Sequence, residues 1–105
     1  EVANLIEVAL NLKQAKPIIA TKIKSKNLNE TQNKALSYAL NSNPIFLIHG
    51  PPGTGKTTTL IEIIKHSAKC GKKVLATAES NIAVDNILSK FITSDFKIIR
   101  LGHVA

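Results

Sequence analysis

The chain has 105 residues, with 14 Lys and Arg against 7 Asp and Glu for a net charge of +7, and it is 44% hydrophobic and 20% charged. These proportions are globular, so wholesale disorder and a collagen-like rod are excluded, and the length allows one domain or less. A lone Cys70, no run approaching the ~18 apolar residues of a membrane span and no secretory signal point to a reducing, cytoplasmic setting, or a nuclear one in a eukaryote.

All the basic residues except Arg100 are Lys, with a group at Lys22, Lys24 and Lys26 and a pair at Lys72 and Lys73. A basic balance favours polyanionic partners, although scattered lysines also suit a solvated surface. The aromatic residues, Tyr38, Phe46, Phe91 and Phe96, form no visible platform for stacking bases. With no Met and an opening inside an apolar-periodic run, the chain reads as a piece of a longer polypeptide.

In chain order, Val2, Leu5, Ile6, Ala9 and Leu12 recur at helical steps and predict a helix that Pro17 closes. Residues 18–26 suit an edge strand or a basic loop. Asn29 stands as N-cap before a second helix over 30–40, which Asn41, Ser42, Asn43 and Pro44 break. Residues 45–49, Ile-Phe-Leu-Ile-His, lack alternation and read as a buried parallel strand. A glycine-rich turn follows, then a helix over 56–69 carrying Leu60, Ile61, Ile64 and Ala68, with Gly71 as its C-terminal cap. A strand over 74–78, a helix over 81–91 and a strand over 96–101 complete the order. Strands and helices alternating at this spacing imply an α/β fold with a parallel sheet flanked by helices.

The turn carries the chemistry. Gly50-Pro51-Pro52-Gly53-Thr54-Gly55-Lys56-Thr57 fits G-x-x-x-x-G-K-[ST] (the Walker A pattern of P-loop NTPases), with a strand before it and a helix after it. Backbone N–H groups from such a loop turn inward around phosphates, and the helix start adds its positive dipole end. Lys56 supplies charge to the β- and γ-phosphates, and the Thr57 hydroxyl is a ligand for Mg²⁺. Thr58, in the same first turn, is either a lesser phosphate contact or a plain helix residue. Kinases, GTPases, ATPases and helicases share this element, so it specifies a bound nucleotide rather than an activity. Guanine recognition would need an N-K-x-D element, which does not occur in these residues.

Three flanking stretches need a joint explanation. Leu28-Asn29-Glu30-Thr31-Gln32, the run from Val74 to Leu88 around Glu79-Ser80-Asn81, and Ile99-Arg100-Leu101-Gly102-His103 stand in fixed order around Gly50 to Thr59. Together they resemble the nonsense-decay, Smubp-type and senataxin-like branch of superfamily 1 helicases, over residues 28–103. The resemblance implies a RecA-like first motor domain, present only in part: residues 1–27 would be a helix and basic connector, and residues 28–105 the ATP-binding part.

It also implies roles beside the local ones. Gln32 reads adenine in such proteins, while Asn29-x-x-Gln32 is equally a capping box that would turn the Gln side chain back to the Asn29 N–H. Ser80 and Asn81 are ordinary helix-capping residues, and the resemblance makes them donors to the phosphodiester of single-stranded DNA or RNA. Glu79 departs from the Pro of many relatives. Asp85 reads as a local partner within its helix rather than a catalytic acid, and Cys70 as a small packed residue. Hydrolysis in this class requires an acidic pair at a strand end and several arginines, whereas no hydrophobic strand ending in Asp-Glu occurs in residues 1–105 and Arg100 is the only arginine. The resemblance implies that the acidic strand and its neighbour separate 45–49 from 74–78. The expected activity is therefore that of the whole polypeptide: ATP hydrolysis coupled to movement on a single strand. The alternatives are an ATP-gated nucleic-acid clamp and a P-loop ATPase acting on protein partners.

Overall fold

The computed structural model of the chain describes residues 10, 23–42 and 44–102. The helix predicted at the start of the chain, most of the 18–26 stretch and His103 lie outside the described residues. The chain divides into two compact units, the first ending at Ile63 and the second starting at Ile64.

In the first unit, α1 spans Glu30–Asn41 and starts where a capping residue forces it to. Asn29 is extended, its side-chain oxygen accepts the Gln32 N–H at 2.9 Å, and its own N–H donates to Gln32 Oε1 at 3.0 Å. Both arms of the capping box are thus closed, satisfying donors that the first turn would leave unpaired. Leu36 is fully buried and, with Leu28 and Ile61, makes the small apolar core of this unit.

Residues 23–28 are strapped to α1 by its polar side chains. Ser37, also buried, accepts the Ile23 N–H at 2.8 Å and donates to the Ile23 carbonyl at 3.0 Å. Asn33 accepts the Ser25 N–H at 2.7 Å and donates to the Ser25 and Leu28 carbonyls at 3.1 and 3.0 Å. Of the two readings of 18–26, the part from Ile23 onward is a loop. Its backbone groups go to side chains instead of a neighbouring strand.

α2 spans Lys56–Lys69. It buries Thr59, Ile61 and Glu62, while Leu60 stays 39% exposed, so the buried face is rotated from the one that the apolar spacing suggested. Its end is set by Gly71, at φ +79°, a conformation in which a Cβ is strained. The Gly71 N–H donates to the Ala68 carbonyl at 3.0 Å and the Lys72 N–H to the Ser67 carbonyl at 3.1 Å. This pair of bonds is the Schellman arrangement and satisfies the last carbonyls.

In the second unit, α3 spans Asn81–Ser89, shorter than the predicted helix, and ends in a turn at Lys90 and Phe91. Phe91 is buried and meets Phe96 edge-on, with centroids 6.4 Å apart.

No strand occurs among the described residues. The segments 45–49, 74–78 and 96–101 are unpaired, and Leu47, Leu75 and Ile99 are 85, 84 and 85% exposed. A strand is stable only against neighbours that accept and donate its backbone hydrogen bonds. The described residues supply none, so these apolar segments stand without partners. No helix among the described residues is long and apolar enough to cross a membrane.

Candidate functional site

The phosphate loop runs from Gly50 into the first turn of α2. Gly53 and Gly55 adopt φ +83° and +80°, the region that turns successive N–H groups to one side and that glycine enters without strain. The Thr54 hydroxyl donates to the Pro51 carbonyl at 2.8 Å and closes the loop on itself. A Cβ at Gly50 would stand 2.6 Å from that hydroxyl and 3.5 Å from Lys56 Cγ, so the absence of a side chain there lets both pass.

At the helix start, the Thr59 N–H and hydroxyl both reach the Gly55 carbonyl, at 3.0 and 3.1 Å, and Thr59 is buried. Pro51, Pro52, Gly53 and Thr54 are exposed, as are Lys56, Thr57 and Thr58, while Gly50 and Gly55 are half-buried. The fit to a triphosphate rests on these features: an exposed helix N-terminus, glycines in the left-handed region and a Lys and Thr in the first turn.

Gln32 is brought to this loop. Its Nε2 donates to the Thr54 carbonyl at 3.0 Å, while Oε1 receives the Asn29 N–H. An open cavity of about 450 Å³ is lined by Asn29, Thr31, Gln32, Gly53, Thr54 and Gly55. The capping-box role of Gln32 is present, and the same side chain also borders the cavity beside the loop. Tyr38 lines a separate shallow groove with Lys34, Ala35, Phe46 and Leu47, and is half-buried, as its helical position suggested.

One supporting residue was not singled out from the sequence. Glu62 is buried on α2, and its Oε1 accepts from Asn27 Nδ2 at 3.1 Å, which ties the approach to α1 onto α2. A carboxylate within an apolar-periodic helix was the only signal that could have found it.

In the second unit, Ser80 caps α3, with an extended backbone and its oxygen accepting the Ala83 N–H at 3.2 Å. This leaves the hydroxyl proton for another acceptor. Asn81 and Glu79 are exposed.

Asp85 pairs outside its helix, correcting the local role read from sequence. Arg100 Nε donates to Asp85 Oδ1 at 2.5 Å and Nη2 to Oδ2 at 3.3 Å. The Arg100 hydrogen bond holds the Asp85 carboxyl below its ordinary value and raises the guanidinium in turn. A Cβ on Gly102 would lie 3.7 Å from both Arg100 Nη1 and Asn81 Oδ1, so the end of this segment passes beside the first turn of α3. Cys70 is exposed rather than packed.

A family model described as an AAA domain matches residues 27–105. The chain belongs to this AAA domain family.

Its relatives include an uncharacterized ATP-dependent helicase of Methanocaldococcus jannaschii, 56% identical over 81 residues that cover 74% of this chain and 12% of that protein. The DNA-binding protein SMUBP-2 of Rattus norvegicus is 51% identical over 78 residues, 74% of this chain and 8% of that protein. The ATP-dependent helicase NAM7 of Saccharomyces cerevisiae is 44% identical over 75 residues, 70% of this chain and 8% of that protein. The chain therefore spans about a tenth of the length of the curated relatives it matches. Two of these three are named as ATP-dependent helicases, in keeping with the superfamily 1 branch that the sequence resembles. Membership of this P-loop ATPase family implies ATP binding.

Proposed function

We propose that residues 28–105 are part of the ATP-binding motor domain, RecA-like in fold, of a polypeptide that couples ATP hydrolysis to movement on single-stranded DNA or RNA. The observation that carries this reading is the meeting of Gln32 with the 53–55 turn around one open cavity, inside the AAA domain match.

In this reading the N–H groups of residues 53–57 and the Lys56 ammonium hold the phosphates, and the Thr57 hydroxyl is a ligand to Mg²⁺. Gly50, Pro51 and Pro52 shape the approach, and Thr58 stands beside it. One lone pair of Gln32 Oε1 and one hydrogen of Nε2 remain for the adenine edge. Ser80 and Asn81 donate to the strand's backbone, a contact that follows phosphate and sugar and not sequence.

Bound ATP with its metal supplies the phosphoryl group, and the chain's own residues position it. The hydrolytic acids and arginines come from the rest of the polypeptide.

Lys56→Ala in the intact protein decides the matter. Turnover is expected to fall by at least about 100-fold, as when one stabilising donor is removed from a reaction centre. Binding of a single strand without ATP should persist. Unchanged turnover would contradict the assignment.

A further inference from the structure

The geometry points to a second task for Gln32: it is a positioning residue that sets the phosphate loop by holding the Thr54 carbonyl, independently of any nucleobase. This rests on the reading of residues 50–57 as a triphosphate cradle.

Both polar ends of the Gln32 amide are engaged within the chain. The Asn29 N–H needs an acceptor and finds Oε1, while the Thr54 carbonyl needs a donor and finds Nε2, each at 3.0 Å. The two neighbours fix which way round the amide stands. The side chain is therefore a crossbar from the first turn of α1 to the loop.

Its effect on the loop follows from peptide planarity. The Thr54 carbonyl and the Gly55 N–H belong to one trans peptide unit and point in opposite directions. Holding that carbonyl on the Gln32 side directs the Gly55 N–H away from Gln32. In the cradle reading this amide is among those that face the phosphates.

The Gly55 side of the contact is equally restrictive. A Cβ at 55 would overlap Gln32 Nε2, and the residue sits at φ +80°. Gly55 therefore meets two demands: the left-handed turn and room for the crossbar. The Thr54 hydroxyl bond to Pro51 holds the other side of the same residue, so Thr54 is fixed at both its carbonyl and its side chain.

Reading adenine and setting the loop make different demands on a ligand without a base. The test uses the intact protein and measures equilibrium affinity for inorganic tripolyphosphate and for ATP. Gln32→Met removes the donor without adding charge. Gln32→Glu also removes it but retains a carboxylate oxygen for the Asn29 N–H, preserving the cap if the first variant folds poorly. Asn33→Ala removes the side chain that ties residues 25–28 to α1 and leaves the Thr54 contact alone.

Tripolyphosphate affinity is expected to fall about fivefold in Gln32→Met, the worth of one partly exposed hydrogen bond, and further in Gln32→Glu, whose carboxylate also repels the anion. ATP should fall by at least as much, and Asn33→Ala should bind tripolyphosphate as the parent does.

Loss of ATP affinity with tripolyphosphate affinity unchanged would overturn the proposal and leave Gln32 as a base reader. An equal loss in Asn33→Ala would overturn it in favour of general support of α1. A parent protein that binds ATP but not tripolyphosphate would contradict it too, since the loop would not be set without a base. A parent that binds neither would refute the cradle itself.

Discussion

The residues around the phosphate loop and those around Ser80 are held in different ways. Up to Ile63, polar side chains hold backbone groups and one another: Asn29 the Gln32 N–H, Gln32 the Thr54 carbonyl, Thr59 the Gly55 carbonyl, and Asn27 the Glu62 carboxylate, over a core that includes the fully buried Leu36. From Ile64 onward α3 buries none of its residues, and the ordering contacts include the Ser80 cap, the Asp85 to Arg100 pair and the Phe91 to Phe96 contact. A phosphate cradle needs its N–H groups aimed before the ligand arrives, which local hydrogen bonds achieve. In the proposed function the region around Ser80 meets a polynucleotide through phosphate and sugar and reads no sequence.

The sharpest contrast is expected in the cores. Leu36→Ala should cost about 2–5 kcal/mol, because it leaves a cavity at a fully buried site, and chemical denaturation would measure it. Ile82→Ala, at a residue 68% exposed, should change stability by less than about 0.5 kcal/mol. Equal costs at the two sites would erase the distinction.

Next comes the loop. Gly55→Ala faces both a left-handed backbone and the Gln32 amide. Strain of about 1–3 kcal/mol makes a loss of roughly tenfold or more in ATP affinity the expected outcome, read by titration. Unaltered affinity would mean that the loop is not held as described.

A smaller effect tests the helix start. Asn29→Ala should destabilise α1 by about 1 kcal/mol, seen as a lower thermal midpoint.

The smallest effect belongs to the second unit. Arg100→Ala should lower thermal stability slightly at neutral pH, and the difference should vanish in acid. The carboxyl of Asp85 is held below its ordinary value, so the pair contributes fully above about pH 4 and is lost as pH falls through the lowered value. A difference that grows in acid would contradict this sign.

Much of the helical framework was legible because its signals are local. Asn29 three residues before Gln32 marks a cap, Gly71 marks an end, and the glycine spacing before Lys56 marks a phosphate loop. What escaped lies between distant residues. Gln32 capping its helix while also holding Thr54, Asn27 reaching Glu62 and Arg100 reaching Asp85 are pairings that no short-range pattern encodes. The apolar runs at 45–49, 74–78 and 96–101 have the pattern and the place in the chain order of strands, but a strand also depends on what lies beside it. The described residues supply no such neighbour.

Amide hydrogen exchange in the intact protein, with and without ATP, would show directly whether the loop closes on a triphosphate. Exchange across residues 50–58 is expected to slow with ATP and to respond far less in Lys56→Ala. Exchange in that loop unchanged by saturating ATP, with protection arising elsewhere, would contradict the assignment of residues 50–57 as the phosphate site.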